Sequence, residues 1–207
     1  MNRQSCVAVI ALAALVPLVA QAPKGWKMRV DRSAAASDPD AQGTIKFVTQ
    51  GAGFHATNPV AAVYWNPANT AVGGYTLKAT FTLMKPSGHT NYYGLIFGGS
   101  GLEGAQQSYL YFVVAQDGTW LIKRRDGDST SNVTPKTPSD AVQKPGANGM
   151  STNALEVRVS GDKIEFVVNG NVVHMEPRSG ALKTDGIYGI RINHLLEVQV
   201  DGLTVTK

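Results

Sequence analysis

The chain has 207 residues, of which 43% are hydrophobic and 16% charged, with 22 glycines and a formal net charge of +4. Plentiful β-branched and aromatic residues exclude a disordered chain, and the mild charge excludes the concentrated basic footprint of a nucleic-acid binder. The length fits one domain with a sizeable core, and abundant glycine with sparse charge fits many short strands joined by tight turns.

The first 22 residues read as a secretory signal peptide. Arg3 supplies the positive start, Val7–Ala20 the apolar run, and Ala20-Gln21-Ala22 a small-x-small cleavage site before Pro23. The run is short of the ~20 residues that span a bilayer, so no stable membrane anchor is expected after cleavage. The expected location is secreted or periplasmic. Cleavage would remove Cys6, the only cysteine, and Arg3, leaving residues 23–207 as a single domain of net charge +3. Such a domain has no disulfide, no thiol nucleophile and no Cys-ligated metal.

Trp26, Met28 and Val30 alternate with charged residues and predict a half-buried strand, followed by a polar loop over 32–43. Gly43–Thr49 and Ala61–Trp65 predict two more strands around a segment punctuated by Gly51, Gly53 and Pro59. Tyr75–Met84 is the clearest strand, with Tyr75, Leu77, Ala79, Phe81 and Leu83 on one face. The stretch Asn91–Arg125 predicts three strands, Tyr92–Phe97, Tyr109–Ala115 and Thr119–Arg125, separated by a glycine-rich loop and a Gln116-Asp117-Gly118 turn. These strands are apolar on both faces, so parity alone does not fix which face is inward. Such strands are either buried under a loop or line a groove.

Residues 126–152 carry three prolines and many small polar residues. They predict a long irregular loop with at most a short helix at Ser139–Gln143. Ala154–Val159 and Lys163–Val168 predict a hairpin with one apolar and one polar face, Asn169-Gly170-Asn171 a second tight turn into Val172–Glu176, and Gly186–Ile192 and Glu197–Val205 the closing strands. The expected fold class is all-β, a two-sheet antiparallel sandwich.

The runs Asn153-Ala-Leu-Glu-Val-Arg-Val159, Gly161-Asp-Lys-Ile-Glu-Phe-Val-Val-Asn-Gly170, Gly186–Ile192 and Val198-Gln-Val-Asp-Gly-Leu-Thr-Val205, with Tyr93-Gly-Leu-Ile-Phe97, are the informative ones. Together they resemble the second half of concanavalin A-like lectin/glucanase jelly rolls, above all their laminin-G-like and 3-keto-disaccharide-hydrolase-like branches. The resemblance implies a jelly-roll sandwich with a concave sheet that often holds carbohydrate. It does not imply catalysis, which must be argued from a site.

The glucanase branch carries its acids as Glu-x-Asp-x-x-Glu, and this chain has no such motif. Glu197 and Asp201 share a strand face but stand roughly 13 Å apart, beyond the roughly 5–5.5 or 6.5–9.5 Å of retaining and inverting glycosidases. Glu103 and Asp117 read as turn residues. His55, His89, His174 and His194 show no shared ligand spacing, so no cofactor or metal is expected. A structural calcium at Asp201 is the one candidate that the resemblance suggests.

What remains is recognition by aromatic rings and planar cations, because sugars offer C–H faces to stack and hydroxyls to hydrogen-bond. The candidate ligand residues are Tyr92, Tyr93, Tyr109, Tyr111, Trp120, Lys123 and Arg125, joined by His55 and Trp65 from the N-terminal strands and Arg191 and His194 from the C-terminal end. Arg125 is the leading polar candidate. The expected function is non-catalytic binding of a carbohydrate or another extracellular polymer. The alternatives are a glycoside hydrolase or lyase on a disaccharide or cell-wall glycan, using Glu103, Asp117 or Glu197, and an adhesion module with a protein partner.

Overall fold

The computed structural model describes residues 23–32 and 39–207. The expected signal segment lies outside them. Fourteen strands, and no helix among the described residues, form two antiparallel sheets of seven. The strands are β1 Lys27–Val30, β2 Lys46–Gln50, β3 Gly53–Asn58, β4 Ala62–Ala71, β5 Tyr75–Lys85, β6 Tyr92–Ser100, β7 Ser108–Ala115, β8 Thr119–Asp126, β9 Ser129–Pro138, β10 Ser151–Val159, β11 Lys163–Val168, β12 Asn171–Pro177, β13 Gly186–Ile192 and β14 Leu196–Thr206. The first sheet runs β1-β4-β13-β6-β7-β8-β9 and the second β12-β11-β10-β5-β14-β3-β2.

The two sheets differ for a reason written in their side chains. In the second sheet, β10 alternates buried and half-buried residues, with Leu155, Val157 and Val159 inward and Glu156 and Arg158 outward. One face packs and the other meets water. In the first sheet, Tyr93, Leu95 and Phe97 of β6, Leu110, Phe112 and Val114 of β7, and Trp120 and Ile122 of β8 join the core between the sheets. The alternate residues Ile96, Tyr109, Tyr111, Val113 and Leu121 form a second apolar cluster on the outer face, with Val63 and Trp65 of β4. Phe112 and Phe166 join the sheets edge to face, 5.2 Å between ring centres.

Two predicted loops are strands. The region 126–152 contains β9, which pairs with β8 at the sheet edge through two register shifts. An edge strand tolerates Pro135 and Pro138 because one of its hydrogen-bonding sides has no neighbour. The suggested helix at Ser139–Gln143 is a single turn, closed by Val142 N–H on Ser139 O at 3.1 Å and Ala141 N–H on Ser139 Oγ at 3.2 Å. Residues 53–58, read as punctuated, form β3 between β14 and β2. The Asn169-Gly170 turn is as expected: both residues have positive φ, 49° and 81°, which suits a two-residue hairpin loop.

Gly94 sits in β6 where neighbouring backbone comes close. A Cβ there would lie 2.3 Å from Phe112 O and 3.0 Å from a Leu155 methyl carbon. Gly94→Ala is expected to destabilise by about 1–3 kcal/mol through overpacking, seen as a lower Tm in thermal unfolding. An unchanged Tm would show that β6 and β7 separate freely at this point.

Candidate functional site on the outer face of the first sheet

The pleat and the register decide which side chains meet on the outer face. Tyr109 pairs with Arg125, Tyr111 with Lys123 and Val113 with Leu121, so all six point away from the core. Gly94 lies between Arg191 of β13 and Val113 of β7, which carries the same row across the sheet. Lys123 and Arg125 therefore face outward together, and Arg124, pointing the other way at the sheet's end, pairs with Asp126 at 2.8 Å.

This face is divided. On one half the loop between β6 and β7 folds over it. Leu102 packs into the outer cluster, Lys27 Nζ meets Glu103 Oε1 at 2.6 Å, and Arg29 donates to Gly104 O. Trp65 and Tyr109 end up 2% and 1% exposed. The other half is open, a groove of about 580 Å³. Tyr92, Tyr111, Val113 and Leu121 floor it; Lys123, Arg125, Arg191, Asn193 and His194 contribute to its walls. Tyr92 is the aromatic of this floor that stays half-exposed.

The groove is organised by Asp31, just beyond β1. Its Oδ1 accepts from Arg125 Nη2 at 2.8 Å and its Oδ2 from Arg191 Nη1 at 2.6 Å. These three side chains are only 11–13% exposed. Arg191 also donates to Tyr109 Oη at 3.2 Å, and its guanidinium carbon stands 5.1 Å from the centre of the Tyr111 ring, a cation–π contact. Burial disfavours the Asp31 carboxylate, but Arg191 and then Arg125 outweigh it by charge and hydrogen bonding and hold its pKa below the usual carboxylate range. Burial pushes the Tyr111 hydroxyl up to about 12 and raises that of Tyr109 as well, so both tyrosines beside Arg191 stay neutral.

At the groove's end His194 is buried, its Nε2 3.1 Å from His89 Nε2 and its Nδ1 3.2 Å from Asp40 Oδ1. The last is within ion-pair distance without the alignment of a hydrogen bond.

The structure thus brings together Tyr92, Tyr111, Lys123, Arg125, Arg191 and His194 of the candidates. Tyr109 and Trp65 share the face but lie under the loop. Three candidates belong elsewhere. Tyr93 and Trp120 have the opposite strand parity and sit in the core, where Tyr93 Oη accepts from Asn153. His55 is on β3 of the second sheet, 3.0 Å from Glu197. The acids offered for catalysis do not converge on the groove. Glu103 binds Lys27, Asp117 caps its own turn through Thr119 and pairs with Lys136 at 2.6 Å, and Glu197 faces His55. Asp201, suggested for calcium, accepts from Gln199 at 3.0 Å. Among the described residues no three His, Cys, Asp or Glu side chains are grouped to hold a metal.

No family model matches this chain, and no curated protein does. Solved structures do. The carbohydrate-binding module CBM66 from Bacillus subtilis aligns at TM-score 0.63 and 11% identity, over 88% of this chain and 96% of that one. The fold is the concanavalin A-like jelly roll. A Bacteroides ovatus mixed-linkage-glucan GH16 protein in complex with its product aligns at TM-score 0.59 and 8% identity, over 90% of this chain and 97% of that one. An endo-β-1,3-glucanase from Pyrococcus furiosus aligns at 0.57 and 11%, over 91% and 90%. At these identities the likeness establishes the fold of the jelly roll, not its use.

The ion triplet makes a pH prediction. A depressed folded-state pKa contributes stability above the unfolded value and loses it as pH falls through the folded value. Asp31→Asn is expected to cost about 3 kcal/mol at neutral pH, since it leaves two guanidinium groups facing each other. The difference from the parent should shrink as pH falls from about 5 to about 2. Denaturant unfolding across that range measures it, and a pH-independent gap would show that the triplet contributes no charge-linked stability.

Proposed function

We propose that this protein is a secreted carbohydrate-recognition module that binds its ligand in the open half of the first sheet's outer face. The observation that carries the reading is the groove itself: an apolar and aromatic floor bordered by guanidinium, ammonium and amide donors. Ligand sites are commonly built this way, with apolar walls and a few placed polar groups. Similarity to a carbohydrate-binding module supports the reading, and the glycan-acting relatives support the substrate class.

The carboxylates favour binding over hydrolysis. Asp31 is held ionised by two arginines and cannot serve as a general acid near neutral pH. The other groove carboxylate, Asp128, is exposed on the turn between β8 and β9. A glycosidase needs one acid that stays protonated beside a second carboxylate.

One observation favours a second reading, a lyase. His194 lines the groove with a carboxylate at Nδ1, and Tyr92 and Arg191 line the same space. A base, a proton donor and a charge-neutralising cation are what β-elimination next to a carboxylate requires.

The test pairs binding with turnover. Tyr92→Ala should weaken polysaccharide binding about tenfold or more, the worth of covering one ring, without lowering Tm. Affinity electrophoresis against a panel of soluble glycans reads the first and thermal unfolding the second. Binding without new reducing ends or unsaturated uronate absorbance supports the module. Appearance of unsaturated product, lost in His194→Ala, would establish the lyase in its place.

A further inference from the structure

We infer that the groove selects an acidic glycan, a saccharide whose rings carry ionised carboxylates. This deepens the reading above and rests on it.

The groove's charge does not balance. Arg32, Lys123, Arg125 and Arg191 line it against two carboxylates, Asp31 and Asp128. Asp31 satisfies two of the cations at once, bridging Arg125 and Arg191. That leaves two cations, the exposed Arg32 and the half-buried Lys123, beside the exposed Asp128, and of the two Lys123 is the one held on a strand. It stands on β8 directly opposite Tyr111 and Asn132, half-buried, and among the described residues no carboxylate lies within ion-pair distance of it.

Three exposed strand lysines have carboxylate partners, whereas the half-buried Lys123 has none among the described residues. Lys27 meets Glu103, Lys136 meets Asp117 and Lys163 meets Glu165, each within 2.9 Å. A half-buried ammonium costs solvation that an anion on the ligand would recover.

The same groove shows that carboxylate geometry fits it. Asp31 is a carboxylate from the chain itself, seated between two guanidinium forks, one oxygen to each. The fork is still not full: Arg125 Nε is buried without a hydrogen-bond partner. A ring carboxylate set above Val113 and Leu121 would reach Lys123 while its C–H face met the apolar floor. A neutral hexose would use the same floor and leave Lys123 uncompensated. Among anionic substituents, a carboxylate is the one this groove already seats, with one oxygen to each of two cations.

Calorimetric titration of the protein with oligogalacturonate and oligomannuronate, beside their carboxyl-reduced neutral products and a laminari-oligosaccharide, tests this. The acidic oligomers are expected to bind at least about tenfold more tightly than the reduced ones, the worth of one charge-assisted contact. Their affinity should fall as ionic strength rises from about 0.1 to about 1 M, where the Debye length shrinks from about 10 to about 3 Å. Lys123→Met should erase most of the preference with Tm unchanged, and Lys123→Arg should restore it.

Equal binding of acidic and reduced oligomers, or a preference untouched in Lys123→Met, overturns the charge assignment and leaves the recognition module standing. Binding of sulfated but not carboxylated oligomers overturns the carboxylate assignment. Silence from every glycan, neutral and acidic, removes the module reading and this inference with it.

Discussion

An interior strand of a two-sheet sandwich has one apolar face to bury, but β6, β7 and β8 have two. The inner face is covered by the second sheet. The outer face, with Ile96, Tyr109, Tyr111, Val113 and Leu121, needs its own cover. Leaving such a surface bare would expose a contiguous apolar patch, which soluble proteins avoid unless it has a use. Much of what distinguishes this molecule follows from how that second face is covered, and where it is not.

Half of it is covered by the chain. The loop after β6 drops Leu102 onto Trp65 and Tyr109 and is pinned to β1 by Lys27 and Arg29. The other half is covered by charged side chains laid flat. Arg191 lies over Tyr111 with its head group on Asp31, and Arg125 reaches the same carboxylate. Long cationic stems can shield apolar surface while their heads stay hydrogen-bonded. The triplet links β1's exit, β8 and β13, elements far apart in sequence. It fixes the donors at one wall of the groove and leaves Tyr92, Val113 and Leu121 as floor. The site is a consequence of incomplete cover, made specific by where the covering charges are held.

Much of the scaffold was legible in the chain. Period-two alternation in β5 and β10 and the Asn169-Gly170 turn define the second sheet almost by themselves. The double-sided apolar character of β6 to β8 pointed to a face either covered or lining a groove, and the structure has one half covered and one half open. Three things were not legible. Parity in β7 is open in the sequence because Tyr109–Val114 is apolar throughout, so Tyr93 and Trp120 read as groove candidates although they belong to the core. β9 hid behind its prolines, which only an edge position tolerates. Asp31 gave no signal at all: its partners are 94 and 160 residues away, and no local pattern marks a carboxylate that will bridge two distant arginines. The basic run Lys123-Arg124-Arg125 was visible, but whether Lys123 with Arg125 or Arg124 faces outward was open. The counter-charge that divides their roles was not visible.

That division bears on what the groove can do. A carboxylate between two guanidiniums is a poor acid and a poor base, because both proton gain and loss of its ion pairs are costly. It is a good positioning group, since it holds two forks rigid at no entropic expense when a ligand arrives. Asp31 therefore spends its chemistry on geometry. A carboxylate committed in this way is one of the observations behind the proposed recognition role. His194, with His89 and Asp40 around it, stands at the groove's end, away from the arginine pair. On the lyase reading proposed above, turnover belongs to that end, and the arginine–aspartate triplet contributes fixed donors beside it.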